Sequence, residues 1–192
     1  NFADLLLQRP RQLGRIVRGK PAHKNRGLYE SYLAMVLSAQ KSIWISQAYF
    51  VPNNRFVNAL KAAAARGVDV KLLLPRNNNH KVMLHASRHY YERLLAAGIQ
   101  VYEYEGPMMH AKTAVIDGVW STVGSSNLDF RSLLHNDEAN AVILGAHFGA
   151  EMQHMFRQDL LRANAIQLDV WRKRSTRQKA KERAAALAKY WI

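Results

Sequence analysis

The sequence predicts an α/β fold, with helices layered on a sheet of short strands. Three observations predict it. Apolar residues at helical spacing alternate along the chain with short, continuous apolar runs. The run Val68 to Leu74, apolar but for Asp69 and Lys71, is typical of a strand covered on both faces, which implies a parallel sheet. Glycines stand where the helical patterns stop, as at Gly67 and Gly98.

In order, the stretch through Arg26 is basic, holds Pro10, Gly14, Gly19 and Pro21, and is expected to be a connecting arm. Tyr29 to Gln40 places Tyr32, Leu33, Val36 and Leu37 on one helical face, and Ser42 to Val51 is β-rich up to Pro52. An Ala-rich helix follows over Asn54 to Arg66, then the strand Val68 to Leu74, a helix over Lys81 to Ala97 and a strand over Ile99 to Glu103. His147 to Ala163 is a late helix, and the Ala- and Lys/Arg-rich tail from Ser175 is helical up to Tyr190, Trp191 and Ile192. The domain reading is an arm over 1–26, a globular domain over 27–170 and a basic tail over 171–192.

The chain has 192 residues, 48% of them hydrophobic, enough for one sizeable core and too few for two independent domains. No run approaches the roughly 18 apolar residues of a membrane span, and no leader pattern opens the chain. With Asn1 first and a linker-like start, the chain is expected to begin inside a longer product. The absence of cysteine excludes disulfides and thiolate zinc sites, which fits a reducing compartment. The net charge of +14 divides unevenly: residues 1–26 carry +6, residues 171–192 carry +7, and the body only +1. Basic flanks around a near-neutral body suit adsorption to an anionic membrane, at roughly 1 kcal/mol per basic residue near the surface. Solvated, partly disordered tails are the alternative. The aromatic tip of the basic tail suits the bilayer interface or docking back on the domain.

The most informative stretch is MHAKTAVIDGVWSTVGSSN, Met109 to Asn127. Asp117-Gly118 is a dipeptide favoured in two-residue type I′ hairpin turns. With that turn, Ile116 pairs with Val119, and counting outward sets His110 opposite Ser125, with Lys112 on the same face. Asn127 continues the alternation, and Gly124 leaves room for a ligand near the backbone. One face thus gathers an imidazole, an ammonium and a hydroxyl, a phosphate cradle built without metal.

His110-Ala111-Lys112, then Asp117 after four residues, then Gly124-Ser125-Ser126-Asn127, resembles the HKD signature of the phospholipase D superfamily. The resemblance implies α/β/α layers around a mixed, largely parallel sheet. It implies that His110 attacks a phosphodiester phosphorus and forms a phosphohistidine, which an alcohol or water then releases, with no cofactor and no metal. Glu138 lies where that family places an acidic residue that orients the histidine. Lys112, Ser125 and Asn127 would bind the non-bridging oxygens, while Asp117, in the turn, is expected to be structural despite its place in the signature. A second HKD histidine normally supplies the general acid, and this chain contains one motif only. The other half is expected upstream in the same polypeptide or on a symmetry-related chain.

QAYFVPN (Gln47 to Asn53), GVDVKLLLP (Gly67 to Pro75), the long stretch Val101 to Ser132 and the closing YWI are similar to bacterial cardiolipin synthases. That similarity implies transfer of a phosphatidyl group from one phosphatidylglycerol to another, giving cardiolipin and glycerol. It further implies an anionic phospholipid partner and a peripheral location on the cytoplasmic face of the bacterial inner membrane, with Tyr49, Phe50 and Pro52 at the mouth of the site or in the core at a strand end. The rival reading is a homodimeric single-HKD nuclease. The near-neutral body and the lack of aromatics interleaved with Lys/Arg argue against nucleic acid. A catalytically silent half would have lost His110 or Lys112, and both are present. His85 and His89, spaced i, i+4 after His80, have zinc-like spacing but only Glu92 as a nearby acid, so a polar helix face or a headgroup contact is the preferred reading.

Overall fold

The computed structural model describes residues 12–19, 27–107, 109–129, 132 and 136–188. Its strands are β1 (Leu13–Gly19), β2 (Ser42–Gln47), β3 (Phe50–Val51), β4 (Asp69–Pro75), β5 (Gln100–Tyr104), β6 (Lys112–Ile116), β7 (Trp120–Gly124), β8 (Leu128–Asp129), β9 (Glu138–Leu144) and β10 (Ala163–Ala165). The helices are α1 (Gly27–Ser38), α2 (Asn54–Ala65), α3 (Lys81–Arg88), α4 (Tyr91–Leu95), α5 (Ala146–Leu160), α6 (Leu168–Arg172) and α7 (Thr176–Leu187). Eight strands form one mixed sheet in the order β1-β9-β7-β6-β2-β4-β5-β10, and β3 pairs with β8 beside it. The parallel pairs of the large sheet are β2 with β4 and β4 with β5; the others are antiparallel.

The central strands are apolar on both faces because both faces are covered. Ile43 and Ile45 of β2, Val70, Leu72 and Leu74 of β4, and Ala114 and Ile116 of β6 belong to the larger core, which α1, α2 and α4 cap with Leu33, Val36, Phe56, Leu60 and Leu94. The alternate residues Trp44, Leu73 and Val115 face the other way, against Met152 and Phe156 of α5. Helices therefore lie on both sides of the sheet, the α/β/α arrangement expected. Asn53 caps α2 by accepting from the Phe56 N–H at 2.9 Å. The helix stops where Gly67 takes φ 88°, a conformation that costs glycine little.

Several boundaries differ from the sequence reading. Leu13–Gly19, read as part of an arm, is an antiparallel strand on β9, with Leu13 opposite Leu144 and Gly19 opposite Glu138. Residues 1–11 and 20–26 of that arm lie outside the described residues. The helix expected over Lys81 to Ala97 is broken at His89–Tyr90, where the Tyr90 N–H turns back to the Ser87 carbonyl at 3.1 Å and the Tyr90 and Tyr91 rings enter the core. The strand expected over Ser42 to Val51 divides after Gln47 because the chain leaves one sheet to pair with β8 in the other. The tail is not free: α7 packs on α3, Ala185 enters the core, and Arg174 bonds the fully buried Glu182 at 3.0 Å. Tyr190, Trp191 and Ile192 lie outside the described residues. No helix among the described residues is long and apolar enough to cross a membrane.

The β6–β7 turn is anchored at its far end. The Asp117 carboxylate accepts the backbone N–H groups of Gln40 at 2.9 Å, Lys41 at 2.7 Å and Ser42 at 2.9 Å, which ties the hairpin to the start of β2. Partial burial works to raise its pKa, but the N–H groups of Ser42, Gln40 and Lys41 outweigh it and hold the carboxyl below the usual range. A group depressed in this way contributes stability that is present above its unfolded pKa and lost as pH falls through the folded value. Asp117→Asn leaves at least one of the three donors facing an amide NH₂. The expected loss is about 2 kcal/mol, seen as a lower denaturant midpoint with an unchanged slope, and shrinking as the pH is lowered through the acid range.

Candidate active site

The site forms where β2 and β6 end, from three segments that are distant in sequence. Pairing of Gln47 with Lys112 and the bond from the Ala48 N–H to the Ala111 carbonyl at 2.9 Å bring the start of β6 beside the end of β2. His110 precedes β6 and is exposed; Lys112 opens the strand and is only 8% exposed, its Nζ donating to the His110 carbonyl at 3.0 Å. β8, lying parallel to β3, then carries the stretch after β7 across this end, opposite Phe50 and Val51.

The hairpin register differs by one residue from the expected one. Ile116 stands opposite Trp120, not Val119, and Thr113 opposite Val123. Asp117 and Gly118 do take left-handed conformations, φ 54° and 68°, and the Val119 N–H does bond the Ile116 carbonyl at 3.1 Å. Val119 is nonetheless left out of the ladder, its carbonyl accepting instead from the Gly145 N–H at 2.8 Å. Ser125 consequently lies beyond β7, and it is loop geometry rather than strand pairing that brings it to this end of the sheet.

That loop is built on a fully buried Asn140. Its Oδ1 accepts the Ser126 N–H at 3.2 Å and its Nδ2 donates to Thr122 Oγ1 at 3.0 Å. A Cβ on Gly124 would overlap Asn140 Oδ1 and the Ala139 carbonyl, so this glycine serves internal packing and not the approach of a ligand. Ser125 Oγ donates to Glu138 Oε2 at 2.5 Å, and Asn136 Nδ2 donates to Oε1 at 3.4 Å. The expected bond from Glu138 to His110 is not formed among the described residues; the carboxylate is engaged by these two neighbours instead.

A pocket of about 280 Å³ lies beside His110, lined by Tyr49, His80, Met83, Asn127, Asp129 and Ser132 among others. The Tyr49 ring meets the rings of His110 and His80 edge-on, at centroid distances of 6.0 and 5.8 Å, and its hydroxyl donates to Asn79 Oδ1 at 3.1 Å. Asn127 Nδ2 reaches Ser132 Oγ at 3.4 Å, while its buried Oδ1 has no hydrogen-bond partner among the described residues. Tyr49 thus stands at the mouth, whereas Phe50 is fully buried in the core and Pro52 is buried as well. Sequence reasoning missed Asp129, Ser132, Asn140 and the site role of His80. One signal was available: the i, i+2 alternation that led from Ser125 to Asn127 reaches Asp129 at its next step. Among the described residues no three His, Asp or Glu side chains cluster as a metal ion would require.

The description "Cardiolipin synthase, PLD-like domain" matches residues 32–160. The chain belongs to this family. It is 37% identical over 159 residues to "Cardiolipin synthase 2" of Bacillus anthracis, covering 83% of this chain and 31% of that protein. The chain therefore spans about a third of the length of this curated relative. Among solved structures, phosphatidylserine synthase of Haemophilus influenzae Rd KW20 superposes with a TM-score of 0.76 at 13% identity, over 96% of this chain and 49% of that one. Nuc of Salmonella typhimurium, a phospholipase D family member, superposes with a TM-score of 0.68 at 21% identity, over 82% and 99%. Likeness at these identities shows the shared fold.

Within this PLD-like domain the electrostatics suit a neutral imidazole. Burial first, then the positive charge of Lys112, lower the pKa of His110. The pKa of Lys112 is lowered by burial, partly opposed by Glu138 and Asp129. Removing the like charge should reverse its part of the shift: in Lys112→Ala the His110 imidazole is expected to titrate nearer the free value of about 6.5 than it does in the wild type, as read from NMR shifts against pH. Gly124→Ala is expected to cost about 1–3 kcal/mol of stability by overpacking, measured as a drop in the unfolding midpoint.

Proposed function

We propose that this chain is the C-terminal HKD half of a cardiolipin synthase-type phosphatidyltransferase. The observation that carries the reading is the gathering of His110, Lys112 and Asn127 at one end of the sheet in a family member whose relatives bear that name. In the first step a ring nitrogen of His110 bonds to the phosphorus of phosphatidylglycerol, and the bond to the glycerol oxygen breaks. That oxygen takes a proton from an acid on a second HKD half, elsewhere in the longer protein or on a second copy. In the second step the same group of the second half, now a base, takes the proton from the hydroxyl of another phosphatidylglycerol, whose oxygen attacks the phosphorus. The histidine leaves, and cardiolipin forms.

Each residue has a chemical reason to take part. A depressed pKa leaves His110 unprotonated at neutral pH, with a lone pair available for phosphorus. Lys112 and Asn127 are positioned to hold the non-bridging oxygens, and the pairing of Ser125 with Glu138 sets the loop around them. Asp117 acts at the other end of the hairpin and takes no part in the chemistry. The enzyme works as a peripheral protein on an anionic bilayer, at the cytoplasmic face of the inner membrane, where a neighbouring lipid supplies the acceptor alcohol.

The test is turnover by the full-length protein on phosphatidylglycerol vesicles and, separately, on single-stranded DNA. Cardiolipin and glycerol are expected in equal amounts, and His110→Ala should reduce the rate by at least about 10³-fold. Near-normal turnover by that variant removes the nucleophile assignment. Cleavage of DNA with inert vesicles replaces the lipid reading with a hydrolytic phosphodiesterase on the same site.

A further inference from the structure

At the far end of α3 from His80, α4, α6 and α7 enclose a second cleft that the proposed chemistry does not use. Two adjoining cavities of about 430 and 510 Å³ make it up, sharing His89, Arg93 and Arg183. The more polar cavity is faced by five cations, Arg93, Arg172, Arg174, Lys179 and Arg183, against two carboxylates, Glu92 and Glu182. Both carboxylates are already engaged. Glu182 is fully buried and accepts from Arg174 Nε at 3.0 Å and Gln178 Nε2 at 3.1 Å; Glu92 accepts from Arg174 Nη1 at 2.9 Å, with Arg172 at 3.8 Å. Arg174 therefore does the structural work of holding α6 and α7 on the domain. Arg93, Lys179 and Arg183 form no ion pair with a described carboxylate; the Lys179 ammonium rests on the Arg172 carbonyl at 2.8 Å.

The adjoining cavity is of the other character. Tyr90, Ala186 and Leu187 line it together with Arg93 and Arg183, and Leu187 is 79% exposed. A small soluble phosphate would use the cations and leave this apolar strip wet. A phospholipid would use both, with its phosphate between Arg93, Lys179 and Arg183 and its glycerol and first acyl carbons along Ala186 and Leu187. Three cations flexible enough to converge on one anion, beside an apolar strip, differ from an evenly solvated basic face, where charge is spread and no cavity lies between.

We propose that the cleft between α4 and α7 is an accessory site for the phosphate headgroup of an anionic phospholipid, which holds this face of the protein on the membrane and is separate from the catalytic pocket. The proposal relies on the lipid reading for its ligand and not on the phosphohistidine chemistry. The site explains why α7 is basic and yet docked. A tail acting by charge alone has no need of a packed helix, whereas a site shared between two helices has to be held together, and the buried Glu182 does this.

The test is flotation of the full-length protein with vesicles of phosphatidylcholine containing phosphatidylglycerol, at low and at near-physiological salt. Two charge-matched triple variants are compared: Arg93→Ala/Lys179→Ala/Arg183→Ala in the cleft, and Arg162→Ala/Lys173→Ala/Arg177→Ala outside it. The cleft triple is expected to bind at least about tenfold more weakly than the control triple, since only the cleft cations converge on one phosphate. Leu187→Glu, with every cation intact, should weaken binding as well. Equal losses in the two triples mean that net charge alone governs adsorption and overturn the proposal. So does full competition by millimolar inorganic phosphate, which would identify a soluble anion as the ligand. Turnover of detergent-dispersed phosphatidylglycerol separates this site from the catalytic one: the cleft triple should retain it and His110→Ala should not, and loss of dispersed turnover by a cleft triple that still unfolds cooperatively overturns the separateness of the site.

Discussion

The carboxylate of Asp117, accepting three consecutive backbone N–H groups at the start of β2, sets the register on which the site depends. Once the turn of the β6–β7 hairpin is tied to residues 40–42, Ile116 must face Ile43, and counting along the strands brings Lys112 to Gln47. A slip of one residue would turn Lys112 to the opposite face and bury it against α5. The aspartate thus controls the active end of the hairpin from a full strand length away, which reconciles its place in the signature with its distance from the chemistry. The constraint strengthens because the other end is also fixed: the Ala48 N–H bonds the Ala111 carbonyl, and β3 pairs with β8.

Around that frame, the site is a loop held by buried polar contacts rather than by apolar packing. Asn140 satisfies Ser126 and Thr122, Asp129 accepts the Ser132 N–H at 2.8 Å, and Gln47 Oε1 accepts the Leu128 N–H at 3.3 Å. Each of these groups is buried, and leaving any of them unpaired would cost more than its bond contributes. These bonds fix the described part of the loop against the end of the sheet. Asn127 Oδ1 stands apart, buried at the pocket with no hydrogen-bond partner among the described residues.

The two basic flanks behave differently from the simple picture of charged ends. Leu13–Gly19 extends the sheet by a strand although it carries Arg15 and Arg18, because an edge strand presents one side to solvent. α7 is held by one buried pair, Arg174 with Glu182, and the cost of burying those charges is met by the further bonds from Gln178 and to Glu92. Neither feature could be read from composition, since a charge run looks the same whether its backbone is solvated or paired.

What the sequence determined alone is the family signature and the class of fold. The spacing of His110, Lys112, Asp117, Ser125 and Asn127, and the alternation of helical patterns with apolar runs, are local properties that survive without coordinates. Strand β4 was legible for the same reason, since the notably apolar stretch Val70 to Leu74 marks a strand covered on both faces. Tertiary structure decided the rest. The one-residue bulge at Val119 depends on the Gly145 N–H, 26 residues away. The partner of Glu138 is Ser125 rather than His110, because strand β9 sets that carboxylate beside the Ser125 loop. β8 and β10 are too short to carry a period of their own and exist because neighbouring strands offer free N–H and carbonyl groups. Local pattern reports what a segment can become; which groups it meets is settled only when distant backbone has to satisfy its hydrogen bonds.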